Sequence, residues 1–141
     1  MRRLALALII FSTSISGCAI TVSDLKNVKS SFDGNFTSQT NASDTYRTLR
    51  NMARQCLEYA AHLGNPVIVV SEFDSMRQEG EINQKLLAEG LLINNTLIEI
   101  EGHDDDKAKV NLYTTKSILS TGIRSPNIDD IKRWAGGDRT C

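Results

Sequence analysis

The tightest limit on this chain comes from two short runs in which apolar and charged residues change places at every step. Ile98-Glu99-Ile100-Glu101 and Lys107-Ala108-Lys109-Val110 have the period of two that belongs to a strand, whose successive side chains point to opposite faces. Extended to residues 96–101 and 107–112, and separated by the polar Gly102-His103-Asp104-Asp105-Asp106, they read as an antiparallel hairpin. With those residues as the loop, Glu101 faces Lys107 and Glu99 faces Lys109, while Ile100 meets Ala108 and Ile98 meets Val110. Charged pairs on one side and aliphatic pairs on the other describe a sheet wetted on one face only.

The dry face needs a cover, and residues 44–62 supply one. Tyr46, Leu49, Ala53, Cys56, Leu57 and Ala60 recur at helical spacing and form an apolar stripe, with Arg47, Arg50 and Arg54 on another face. Asn41 or Ser43 can cap the free amides, Asp44 suits the positive end of the dipole, and Gly64 followed by Asn65-Pro66 stops the helix. Pro66 to Phe73 is a β-branched run that reads as a buried strand. Gln78 to Glu81 reads as a turn, Glu81 to Leu87 as a less regular returning strand, and Ala88-Glu89-Gly90 as the next break. Ser31 to Thr37 allows a short edge strand. Ser125-Pro126 opens a final helix over 126–135, with Ile128, Ile131 and Trp134 on one face and Gly136-Gly137 at its end. The expected fold is α+β: an antiparallel sheet of about four strands packed by one long helix, with a short C-terminal helix near its end.

The N-terminus has a different character. Arg2 and Arg3 precede the uncharged apolar Leu4 to Phe11, and Ser12 to Gly17 is small and polar-leaning, the three parts of a signal peptide. The apolar run is well short of the roughly 20 residues that span hydrocarbon. Ile15-Ser16-Gly17-Cys18 resembles the lipobox of bacterial lipoproteins. That resemblance implies cleavage after Gly17, a lipid on Cys18 and membrane attachment through it, since two or more acyl chains anchor stably where one does not. Ala19, in place of aspartate, implies sorting to an outer membrane. The expected organisation is a signal peptide over 1–17, a lipidated tether over 18–30 and a single α+β domain over 31–141.

Lipidation of Cys18 leaves Cys56 and Cys141 as an even pair in an oxidising compartment, where disulfides persist. Two cysteines so far apart in sequence are no metal motif, so a Cys56–Cys141 disulfide is the expected use. The chain also resembles a group of small bacterial lipoproteins of uncharacterised function. The matching residues are Ala53-Arg54-Gln55-Cys56 and the closing run Ile131-Lys132-Arg133-Trp134-Ala135-Gly136-Gly137-Asp138-Arg139-Thr140-Cys141. The likeness implies the same cysteine pairing and carries over no catalytic residues.

Charge and chemistry narrow the function classes. Without Arg2 and Arg3 there are 14 basic against 17 acidic side chains, a charge of −3 with the signs interspersed and no footprint for nucleic acid. His62, at the expected helix end, and His103, in the hairpin loop, read as surface residues rather than a catalytic pair. Asp104-Asp105-Asp106 points its carboxylates in different directions, which suits a solvated turn better than a calcium loop. No nucleophile elbow and no glycine-rich phosphate loop occurs, so neither a catalytic site, a metal nor a cofactor is implied. The three-arginine face reads as solvated, with an acidic partner or glycan as the alternative. The leading expectation is a non-enzymatic envelope protein acting through contacts with another protein at the periplasmic side of the outer membrane. A binder of a small molecule or envelope polymer comes second, and a hydrolase last.

Overall fold

The computed structural model describes residues 21–61, 64–104, 106–115 and 122–141. Along the chain lie α1 (Val22–Asn27), a 3-10 turn (Lys29–Ser31), β1 (Phe32–Ser38) and α2 (Ala42–Leu57). Then follow β2 (Tyr59–Ala60), β3 (Pro66–Asp74), β4 (Glu79–Ala88), β5 (Leu91–Gly102), β6 (Ala108–Thr114) and α3 (Ile128–Ala135). The strands form one antiparallel sheet in the order β1-β6-β5-β4-β3-β2, curled into half a barrel. The expectation of about four strands under one long helix is therefore corrected: the described residues form six strands and are mostly sheet.

Part of the difference lies in α2, which ends at Leu57 instead of running to residue 62. Glu58 leaves the helix, and its carboxylate accepts a hydrogen bond from Val69 N at 3.1 Å. That ties down an amide of β3 just beyond the short stretch paired with β2. Tyr59 then pairs with Val67, so the stretch read as the last helical turn begins a short strand. At the other end Asn41, not Ser43, caps the helix through Asp44 N at 2.9 Å. Tyr46, Leu49, Ala53, Cys56 and Leu57 are buried as their spacing predicts, while Ala60 is exposed.

The hairpin keeps its faces but not its pairs. Glu101 lies opposite Lys109, Ile100 opposite Val110 and Ile98 opposite Leu112, two residues away from the expected register. Because the shift is even, every side chain stays on its predicted face. Gly102 causes the shift: its amide donates to Gln78 O at 2.8 Å, which draws it into β5 opposite Ala108. The loop becomes residues 103–107, closed by His103 N donating to Lys107 O at 3.0 Å.

The β3–β4 turn differs from expectation, while the β4–β5 turn falls within the expected break. Asp74 makes the β3–β4 turn, its carboxylate accepting from Met76 N at 2.9 Å and Arg77 N at 3.2 Å. Gly80 lies inside β4 because of packing: a Cβ there would stand 2.8 Å from Tyr46 Cδ2 and 3.0 Å from Phe73 Cδ2, two stacked rings. Gly80→Ala is therefore expected to cost about 1–3 kcal/mol of stability through overpacking. Chemical denaturation would measure it, and a neutral substitution would mean that the ring pair has room to slide. Glu89 and Gly90 both have positive φ and join β4 to β5 in a two-residue turn, with Ala88 opposite Leu91.

A bulge sets the phase of β5. Gln84 pairs with Thr96 and Lys85 with Asn94, which leaves Asn95 as an extra residue. Without it, Ile93 and Ile98 would point to opposite faces; with it, both reach the inner face. Asn95 turns inward and donates to Gln84 Oε1 and Ser125 Oγ, each at 2.8 Å. Gln84 Nε2 in turn donates to Arg124 O at 2.9 Å, so this buried polar group fixes the chain that leads into α3.

The core is the inner face of the sheet against α2 and α3. Val69, Ile82, Ile98, Ile100, Val110 and Leu112 pack on Leu49, Met52, Leu57, Ile131 and Trp134. On the far face lies α1. Residues 22–30, expected within a tether, are folded onto the sheet: Leu25 is 2 % exposed, and Ser31 Oγ donates to Val28 O at 2.6 Å and also to Leu25 O.

Candidate functional site

Register alone assembles a charged surface on the far face. Across β3, β4 and β5, Glu72 stands opposite Glu81, which stands opposite Glu99; one step along, Asp74, Glu79 and Glu101 repeat the pattern. Like charges directly opposite one another in a sheet destabilise it, so two rows of three carboxylates need an explanation beyond folding. The six acids line an open depression of about 470 Å³ at the hairpin end of the sheet, together with Lys26 and Arg77.

Lys26 comes from α1. Its ammonium sits 2.8 Å from Glu81 Oε1 and also contacts Glu99. Burial works against its charge, but the hydrogen bonds to the two glutamates outweigh that and hold it above the ordinary lysine range. Arg77 Nε lies 3.7 Å from Asp74 Oδ2. Lys109 on β6 stands opposite Glu101, so three cations meet six carboxylates and this end keeps a net negative charge. Tyr113, beside Glu99 on the same face, has its phenol pushed up first by burial and then by that carboxylate.

Away from the hairpins the same face turns apolar. Ile68 and Val70 on β3, Leu87 on β4 and Leu92 on β5 occupy its outward positions around Lys85, with Val70 45 % and Leu92 46 % exposed. Between the halves, next to Glu81 along β4, is Asn83, which is 6 % exposed and whose Oδ1 has no hydrogen-bond donor.

The residues singled out by sequence fall elsewhere. Cys18 and His62 lie outside the described residues. Cys56 on α2 and Cys141 at the chain end form a disulfide with Cα atoms 5.3 Å apart. It lies beside a smaller depression of about 280 Å³ between α2 and the C-terminal tail, where Met52, Gln55, Trp134 and Arg139 meet. The three arginines of α2 go separate ways: Arg47 reaches Asp44 at 3.4 Å, Arg50 lies over the Tyr46 ring at 5.7 Å, and Arg54 is exposed. His103 is exposed, 4.0 Å from Asp104. Among the described residues no group of three His, Cys, Asp or Glu side chains is placed to hold a metal ion, because the six carboxylates spread along the strands instead of converging. Among the same residues no helix is long and apolar enough to cross a membrane.

Sequence reading missed the carboxylate rows, although their signal is present. Glu72 and Asp74, Glu79 and Glu81, and Glu99 and Glu101 are three acidic pairs, each at the strand spacing of two. No family model matches the chain, and neither a curated protein nor a solved structure is found to match it.

Proposed function

We propose that this chain is a lipid-anchored protein of a bacterial cell envelope that works through contact with another protein. Residues 1–17 direct export, Cys18 carries the lipid, and the domain faces the periplasm from the outer membrane. The anchor reading rests on Ile15-Ser16-Gly17-Cys18 behind a charged and then apolar leader. A disulfide between Cys56 and Cys141 is in keeping with an oxidising compartment. The observation that carries contact as the mode of action is the far sheet face, where exposed apolar side chains adjoin a concentrated charge. A second reading, the binding of a small cationic molecule, is favoured by the depression of about 470 Å³, a volume within the usual range for ligand sites.

The anchor is tested by Cys18→Ser. The variant is expected to lose metabolic palmitate labelling and to accumulate as the uncleaved precursor. Labelling that persists would place the lipid elsewhere and remove the basis for this localisation.

A further inference from the structure

We infer that the far face of β3, β4 and β5 is a docking surface for a protein element carrying lysine or arginine side chains beside apolar ones. The inference rests on the reading that this chain works by protein contact, and it adds where the partner sits and what its surface is made of.

Two observations on that face converge. The first is the double row of carboxylates, six acids against Lys26, Arg77 and Lys109, with like charges opposite one another across β3, β4 and β5. The second is adjacency. The apolar half begins one outward position before the acidic half: on β3, Ile68 and Val70 run directly into Glu72 and Asp74. A partner covering one half must meet the other. The carboxylates are acceptors, so this surface calls for donors with positive charge. α1 supplies one such donor already: Leu25 is buried while Lys26 reaches into the rows, an apolar residue followed by a basic one. α1 covers β5 and β6, and the adjoining surface of β3 and β4 keeps Val70 exposed. The partner thus extends along the face a pattern of contact that the chain makes with its own first helix.

The probe is a synthetic peptide of alternating lysine and leucine, with oligolysine of equal charge and a glutamate-leucine peptide as controls. Each is titrated by fluorescence anisotropy into the full exported chain in detergent, at low and physiological salt. Bound probe is then fixed to carboxylates with a carbodiimide and the links are located by mass spectrometry. The lysine-leucine peptide is expected to bind about tenfold tighter than oligolysine, with links at Glu72, Glu79 and Glu81. Glu72→Lys combined with Glu79→Lys should weaken it by about tenfold or more, mostly at low salt. Val70→Ser combined with Leu92→Ser should bring it down to the oligolysine level without altering the circular dichroism spectrum. Equal affinity for oligolysine would reduce the surface to a general polycation trap and overturn the inference. So would links confined to Asp104 and Asp106. Concentration-dependent self-association that the same substitutions abolish would make the occupant a second copy of this chain and overturn it too. A partner crosslinked in its native envelope through α2 instead would leave protein contact standing as the mode of action and remove only this surface from it.

Discussion

Reduction of the Cys56–Cys141 disulfide is expected to lower the free energy of unfolding by about 4 kcal/mol. The bond closes a sequence separation of 85 residues, and the loop-entropy estimate for that length is about 4.5 kcal/mol. The estimate should be nearly realised, because the reduced tail keeps its native attachments. Trp134 Nε1 donates to Thr140 O at 2.9 Å, Arg133 meets Asp138 at 2.7 Å, and Gln55 Nε2 donates to Arg139 O at 3.4 Å. The native fold therefore loses little, and the effect arises from freeing the unfolded chain. Denaturation with and without reductant would show a fall in midpoint at unchanged native spectrum, equivalent to about 15 °C in Tm for a domain of this size. A fall below about 1 kcal/mol would mean that the reduced, unfolded chain still holds α3 against α2.

Trp134→Ala comes next, with an expected loss of about 3–5 kcal/mol. The indole is 2 % exposed and packs where α2, α3 and the sheet meet, so its removal opens a cavity that rigid neighbours cannot fill. Trp134→Phe separates the two parts of the effect. It keeps most of the ring volume but leaves Thr140 O without its indole donor, for an expected loss of about 1–2 kcal/mol. Equal losses in the two variants would show that the hydrogen bond, and not the packing, places the indole.

What could be read from the sequence depended on whether its cause was local. The stripe of α2 and the alternation of β5 and β6 arise from neighbouring residues, so the faces they present follow from spacing alone. The end of α2 does not, because Glu58 is claimed by Val69 on another strand. The first half of β5 was hidden by Asn95: a reader holding to a period of two finds Ile93 out of phase with Ile98 and sees no strand. Leu25 lies between Val22 and Val28 in an otherwise polar stretch, and the sheet beneath it makes it the buried one of the three. The carboxylate rows depend on the register of three strands at once, and that register is fixed in part by the bond between Gly102 and Gln78, which no local pattern announces.

The early start of the folded structure has a mechanical consequence. Thr21 already caps α1, receiving the Asp24 amide at 3.2 Å while its own amide donates to the Asp24 carboxylate at 2.8 Å. With the lipid on Cys18 as proposed, three residue steps separate the anchor from the first capped turn, at most about 11 Å of fully extended backbone. A domain of about 124 residues has a radius of gyration near 14 Å, so the mooring is shorter than the body it holds. Such a body can swivel about its lipid but cannot drift from the bilayer. With that anchor, the search for a partner would take place at the membrane surface.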